Sequence, residues 1–278
     1  MPAERIAESL AFINWTILTG LAIGSFGAVA LGRLRTDATR GYLAFTGVVA
    51  VLLGLLAIVS DRALPGAAAG SPIAIDGSWD EARRAAMALF CGLAIAYVVA
   101  ILRRQRAPLL AGTAMAAGAA VLGLAAIAWG GGALGTVLLA VQLVTLTAAL
   151  GGVWAAMVLG HWYLVTPKLA EAPLVRFART LAIIVAAQIV LFVAWIGLGA
   201  GPAGVPGFGA LVGSWALFVW LRLLIGLVFP LVVSWAAIQT ARTRSMESAT
   251  GLLYIDVGTI AAGTILAAGL YFGAGLLV

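Results

Sequence analysis

Residues 85–129 read AAMALFCGLAIAYVVAILRRQRAPLLAGTAMAAGAAVLGLAAIAW. Two apolar runs in this stretch enclose the basic tetrapeptide Arg103-Arg104-Gln105-Arg106. A helix needs about 20 apolar residues to cross a hydrocarbon core of about 30 Å, and each run is close to that length. Because Arg and Lys in short loops are retained on the cytoplasmic side, the stretch predicts a membrane-embedded helical hairpin whose turn faces the cytoplasm.

The same alternation of apolar run and short polar stretch extends along the whole chain. It predicts eight spans, near residues 10–32, 41–59, 85–102, 108–129, 133–159, 174–199, 209–238 and 249–277. A transmembrane β-barrel would show segments of about ten residues with alternating hydrophobicity, whereas these runs are unbroken. The predicted fold is an all-α integral membrane protein, a polytopic bundle of eight transmembrane helices that forms one domain over residues 1–278 with no soluble domain.

The composition agrees with a membrane protein. Apolar residues make up 64% of the chain and charged residues 9%, and the mean hydropathy is +1.14. A soluble fold of this size would need more polar surface. The net charge of +6 is explained by loop topology and by anionic lipid headgroups at the cytoplasmic loops, so nucleic acid is not an expected partner.

The basic residues also predict the orientation. Eleven of the sixteen lie in the loops after the first, third, fifth and seventh spans, four lie on the opposite side, and Arg222 lies within the seventh span. Both termini are therefore predicted outside, in a multi-pass protein of the bacterial cytoplasmic (inner) membrane. Tryptophans near the span ends predict two interfacial aromatic belts, the outer one formed by Trp15, Trp129, Trp195 and Trp215.

Few residues are available for metal or haem ligation. His161 is the single histidine and Cys91 the single cysteine, so an intrachain bis-His haem, a thiolate metal site and an internal disulfide are excluded. Met157 lies one turn from His161 on the same helix face and cannot ligate the other side of one haem. A haem remains open only if a partner subunit shares it or the second ligand is not His. No metal site is predicted.

The chain carries no nucleotide-binding or catalytic motif. Any enzymatic activity therefore belongs to an assembly, in which this chain is a non-catalytic or an electron- or proton-transfer subunit.

Arg222 is the costliest residue of the chain, since it lies near the middle of the seventh span. Gln142 and Gln188 lie at similar depth in the fifth and sixth spans, and their side-chain oxygens can accept hydrogen bonds from a guanidinium. These three residues predict a buried polar or substrate site for an anion, a quinone carbonyl or a proton path. The alternative is an internal polar latch that joins the three helices.

A second candidate site lies towards the cytoplasmic ends of the fifth and eighth spans. Segment 160–168 contains His161 and Tyr163 and ends in Pro167-Lys168, and Asp256 lies about 10 Å into the eighth span at 1.5 Å per residue. His161, Tyr163 and Asp256 predict a quinone or proton site. The alternatives are an interfacial anchor for the His and Tyr, and a partner's arginine or the headgroup region for the Asp.

The loop at residues 60–84 is the longest connection. Its acidic side chains, which include Asp61 and Asp80, are expected to be solvated, with a partner or a cation as the alternative. Any activity is therefore expected inside the bundle or at its faces.

Small residues and one proline shape the spans. Gly20 and Gly24 repeat at four-residue spacing on the first span and predict close helix contacts. Pro230 is expected to kink the seventh span between Arg222 and its cytoplasmic end.

Three functional hypotheses follow from the sequence. The first is an integral membrane subunit of a larger respiratory or redox-linked complex, together with other membrane subunits and with a quinone or proton site. The second is a small secondary transporter or channel that uses Arg222 and Asp256. The third is a structural membrane anchor.

Overall fold

The computed structural model describes residues 1–66, 71–166 and 169–278. The chain is 82% helical, and no strand occurs among the described residues. The described residues form ten α-helices in this order: α1 (Pro2–Glu8), α2 (Leu10–Arg35), α3 (Arg40–Asp61), α4 (Asp80–Leu102), α5 (Pro108–Trp129), α6 (Ala133–Val165), α7 (Ala172–Leu198), α8 (Ala216–Leu223), α9 (Phe229–Arg242) and α10 (Met246–Ala274). A π-helical turn, Leu224–Val228, joins α8 to α9.

Within the part of the chain that the structure describes, eight helical segments are long and apolar enough to cross a membrane: α2 to α7, the continuous α8–α9 segment, and α10. This confirms the predicted all-α polytopic bundle. The predicted bounds differ by more than five residues at two places, since α6 continues to Val165 instead of 159 and the seventh span begins at Ala216 instead of 209. Residues 209–211 form a 3₁₀ turn, and Phe208 before it has a left-handed φ of 60°. The chain therefore turns before it enters the helix.

Both termini lie on the same face of the bundle, as an even number of spans requires. Helix α1 packs on α10, where a Cβ added at Gly273 would lie 3.2 Å from the Arg5 carbonyl oxygen. The Asp76 amide donates to the Ala128 carbonyl from the same side. We call this side the terminal face (residues 1–9, 61–66, 71–84, 130–132, 199–215 and 275–278) and the opposite side the basic face (residues 33–40, 103–107, 169–179 and 242–245).

Helices α2 and α6 approach closely in the middle of the bundle. A Cβ at Gly24 would lie 2.0 Å from the Thr147 carbonyl oxygen, and one at Gly151 would lie 2.2 Å from the Gly24 carbonyl carbon. Only glycine fits at these two positions. The predicted packing role of Gly24 is therefore confirmed, and its partner is α6 of the same chain.

The terminal face contains a buried ion pair that the sequence did not predict. Arg83 donates to Asp61 through Nε at 2.6 Å and Nη2 at 3.1 Å, and also to Asp80 at 2.9 Å. The Arg83 guanidinium lies 4.8 Å from the ring centroid of Trp129 and 5.7 Å from that of Trp15. The expectation that Asp61 is solvated is wrong, because Asp61 ends α3 inside the bundle and faces Arg83 in the first turn of α4.

The prediction of an outer aromatic belt is wrong for three of its four tryptophans. Trp15 and Trp129 are each 1% exposed and Trp195 is 5% exposed. Trp15 packs edge to face on Trp129, with ring centroids 4.8 Å apart. These rings pack inside the bundle, because tight contacts between the helix ends leave them no exposure to the membrane interface.

Candidate functional site

Arg222 lies in the last turn of α8 and is 3% exposed. Its Nη2 donates to Oε1 of Gln188 on α7 at 3.3 Å. Its Nη1 donates to the carbonyl oxygen of Gly226, four residues further along the chain, at 3.2 Å. The Nε atom has no partner among the described residues. The guanidinium is thus held by two neutral acceptors.

Pro230 explains why the Gly226 carbonyl is available to Arg222. In an α-helix that carbonyl would accept from the N–H of residue 230, which proline lacks. The backbone around Gly226 forms the π turn Leu224–Val228, in which the Phe229 N–H donates to the carbonyl of Leu224, five residues earlier. Where the sequence predicts a kink at Pro230, the structure has a π turn, a feature often found at functional sites.

Glycines make room for the guanidinium at the contact between this π turn and α10. A Cβ added at Gly226 would lie 2.5 Å from Gly263 Cα, and one added at Gly263 would lie 2.8 Å from Arg222 Nη1. The two backbones touch here. A side chain at either position would displace the arginine or separate the helices.

The structure joins two of the three residues of the predicted buried polar site. Gln188 is 5% exposed and accepts from Arg222, while its Nε2 has no partner among the described residues. Gln142 on α6 is 2% exposed, and neither its amide nitrogen nor its amide oxygen has a partner there. No hydrogen bond within the described part of the chain connects Gln142 to Arg222.

Asp256 is fully buried on α10. Its Oδ2 accepts from the hydroxyl of Ser234 on α9 at 2.5 Å, and its Oδ1 has no partner among the described residues. Seven residues separate Asp256 from Gly263, which contacts Arg222, so the two groups are about 10 Å apart along α10 at 1.5 Å per residue. Arg222 and Asp256 therefore lie on the same interface, between the seventh and eighth spans.

The predicted quinone or proton site is divided among three separate contacts. His161 is exposed, and its Nδ1 lies 3.4 Å from the hydroxyl of Tyr254 on α10. Tyr163 is buried and donates to the carbonyl of Ala170. Asp256 faces Ser234. No hydrogen bond among the described residues joins any two of the predicted three, and Pro167 and Lys168 lie outside the described residues.

Two contact residues were not predicted from the sequence: Tyr254 beside His161 and Ser234 beside Asp256. Tyr254 lies two residues before Asp256, so the two side chains leave α10 in nearly opposite directions, one exposed and one buried. The pattern of α10 offers no signal for this division, since apolar residues surround the helix on all sides.

The buried charged side chains of the bundle differ in whether an oppositely charged group lies beside them. Arg83 has two carboxylate partners. Neither Arg222 nor Asp256 forms an ion pair within the described residues, although both are buried inside membrane-spanning helices. Neither of these two residues, nor Gln142 or Gln188, lines the apolar groove between α2, α5, α6 and α7 or four other cavities in the described part of the chain.

Comparison of the chain with models of protein families, with curated proteins and with solved structures finds no match.

Proposed function

We propose that the chain is an integral membrane subunit of a redox-linked assembly and that the buried polar groups of its α6 to α10 helices transfer protons. The observation that carries this proposal is the burial of Arg222 and Asp256 with no counter-ion among the described residues, whereas Arg83 of the same bundle contacts two carboxylates. A latch that only holds helices together is expected to resemble Arg83, with opposite charges in contact.

The chemistry of each group assigns its role. A charge in the middle of a bilayer costs about 2.5 to 3.5 kcal/mol on insertion scales, and an uncompensated one is typical of ion and proton pathways. Arg222 stays protonated, so it acts by its fixed positive charge and by orienting Gln188. Asp256 is the proton carrier, because its free Oδ1 can take up a proton while Ser234 holds Oδ2.

The link to redox chemistry rests on His161 and Tyr254. Both side chains are exposed near the basic face, and their polar atoms lie 3.4 Å apart. An imidazole and a phenol can each donate a hydrogen bond to a carbonyl oxygen of a quinone that approaches from the lipid. The proposed quinone site contains Tyr254 instead of Tyr163, because the hydroxyl of Tyr163 already donates a hydrogen bond to the carbonyl of Ala170.

The two other hypotheses predict different results. A secondary transporter would use the same Arg222 and Asp256 but needs a cavity that reaches them, and neither residue lines the five cavities described above. A structural anchor predicts that replacing either group changes stability and assembly only.

The test begins with purification in mild detergent together with any partners the chain retains. Mass spectrometry, visible absorption and solvent extraction then identify partner subunits, haem and quinone. The same preparation is reconstituted into liposomes that contain a pH-sensitive dye. We expect bound quinone or a redox partner, and proton movement that the Asp256→Asn variant reduces on the order of 100-fold, the scale of a lost proton-transfer group.

The matched control is Glu247→Gln, which neutralises an exposed carboxylate in the first turn of the same helix and is expected to leave proton movement unchanged. Wild-type rates in Asp256→Asn would contradict the proposed role of Asp256. A lone, colourless chain without quinone would contradict the redox link and favour transport.

A further inference from the structure

We propose that one anionic glycerophospholipid binds at the basic face, with its headgroup among four arginines and one acyl chain in an apolar groove that continues into the bundle. This site is separate from Arg222 and Asp256 and does not depend on the proposed proton transfer.

The headgroup part is a cavity of about 360 Å³. The basic residues that line it are Arg33, Arg35, Arg106 and Arg176, and the acidic one is Asp37. No ion pair within the described residues uses Asp37, so the cavity keeps an excess of positive charge. Guanidinium groups bind phosphate in a bidentate manner, and basic pockets between helices at the cytoplasmic face suit anionic lipid headgroups.

Two of the arginines are fixed by the fold and two are free to bind. Arg33 donates to the carbonyls of Arg104 and Gln105 at 3.0 to 3.3 Å, and Arg176 donates to the carbonyl of Arg35. These bonds hold the α4–α5 loop and α7 against the end of α2. The side chains of Arg35 and Arg106 are exposed and make no hydrogen bond or ion pair within the described residues.

The acyl part is an apolar groove of about 250 Å³, lined by residues of α2, α5, α6 and α7. It extends from Leu31 to Ile23 on α2 and from Phe177 to Ile184 on α7, which is about 10 to 12 Å along each helix at 1.5 Å per residue. Val144 in its lining is 49% exposed, so the groove opens at the lipid-facing surface.

The two cavities follow each other along the same helix faces. On α2, Leu34 of the headgroup cavity lies three residues after Leu31 of the groove, and on α7, Arg176 of the cavity lies four residues before Thr180 of the groove. Residues at these spacings share one face of a helix. The apolar lining therefore begins where the arginines end. This order, phosphate-binding groups at the interface and hydrocarbon contacts below them, is that of a phospholipid in the leaflet at the basic face.

A helix of a partner protein matches the two parts less well than a lipid does. A helix with its side chains is about 10 to 12 Å in diameter, as wide as the groove is long, and an apolar helix brings no anionic group to the arginines. A soluble phosphate would bind the arginines but would leave the groove unused. An anionic lipid uses both parts.

The test measures lipid retained by the protein after delipidation in detergent, and then rebinding of phosphatidylglycerol or phosphatidylcholine from mixed micelles. We expect about one phosphatidylglycerol per chain and clearly weaker binding of phosphatidylcholine. The double variant Arg35→Gln/Arg106→Gln should bind phosphatidylglycerol about 30-fold more weakly, because each basic residue near an anionic headgroup contributes ~1 kcal/mol and 1.4 kcal/mol is a tenfold change.

Two further variants separate this site from general surface charge. Arg103→Gln removes an exposed arginine from the same loop as Arg106, but one that does not line the cavity, and it should retain the lipid. Ala119→Trp, at an exposed position in the groove lining, should weaken lipid binding with all arginines present.

Equal losses in Arg103→Gln and in the double variant would overturn the proposal, as would equal binding of the two lipids. Binding of glycerol 3-phosphate as tight as that of phosphatidylglycerol, unchanged by Ala119→Trp, would also overturn it and assign the arginines to a soluble anion.

Discussion

Two arginines inside one helical bundle show how differently a guanidinium can be accommodated in a membrane. Arg83 lies against Asp61 and Asp80 with an indole ring over its face, so charge, hydrogen bonding and dispersion all favour its burial. Within the described residues, the acceptors of Arg222 are the Gln188 amide oxygen and a backbone carbonyl. The first arginine is stabilised by the fold, whereas the second imposes a cost on it.

Removal of one member of the Arg83–Asp61 pair should destabilise the fold strongly. Arg83→Gln leaves Asp61 buried without its main partner, and the loss of one member of a buried pair costs about 3 to 5 kcal/mol. We expect a corresponding fall in the free energy of unfolding, measured by denaturant titration in detergent.

The neighbouring Arg84 provides the control for this prediction. It also lies near Asp61, at 3.4 Å, but its side chain is 31% exposed. Arg84→Gln should change the free energy of unfolding by no more than about 1 kcal/mol. Similar losses in the two variants would mean that the burial of Arg83 does not determine the strength of its ion pair.

At the scale of the helix, the shape of the seventh span places Arg222 beside neutral hydrogen-bond acceptors. The four-residue spacing of Arg222, Gly226 and Pro230 places the arginine next to a carbonyl that proline leaves without its α-helical donor. The π turn then brings Gly226 against Gly263 of α10. A break in one helix thus creates both the acceptor and the space that the guanidinium requires.

Gly263→Ala should disturb this arrangement. The added methyl group would lie 2.6 Å from Gly226 Cα and 2.8 Å from Arg222 Nη1. Overpacking of this kind costs about 1 to 3 kcal/mol, and we expect a lower midpoint of thermal unfolding in detergent.

Gly258→Ala is the matched control on the same helix, since nothing lies within 4 Å of a Cβ added there. It should be neutral or stabilise the protein by up to about 1 kcal/mol, because Ala is the better helix former. An unchanged midpoint in Gly263→Ala would show that the contact between the two glycines relaxes without cost.

At the scale of the whole molecule, the chain folds so that both termini and the long loop share one face and most arginines lie at the other. The N-terminal helix closes against α10 on the terminal face. At the basic face, Arg33 and Arg176 bind loop and helix-end carbonyls. The arginines that predict orientation therefore also connect the helices.

The predicted orientation can be tested with single cysteines. Cys91 is 3% exposed and should stay unlabelled. Ser78→Cys lies at the terminal face and Ser245→Cys at the basic face, and both positions are exposed. A membrane-impermeant maleimide added to intact cells should label residue 78 only, and the reverse pattern would contradict the outside location of the termini.

The sequence by itself determined the fold class, the number of spans and the basic face. These properties depend on the length of each apolar run and on where the charges fall between runs, and a bilayer imposes them on any chain with this pattern. The costly position of Arg222 and the irregularity at Pro230 were also evident, because both follow from the chemistry of single residues.

Only the tertiary structure decided which side chains meet. Helix rotation and register depend on contacts such as Gly24 with Gly151 and Gly226 with Gly263. These contacts cannot be predicted from an amphipathic face, because the spans are apolar on all sides. For this reason Asp61 was expected in solvent although it pairs with Arg83, and His161 was grouped with Tyr163 although it lies beside Tyr254. The spans follow from hydropathy, which is a local property, whereas the sites follow from packing between segments far apart in the chain.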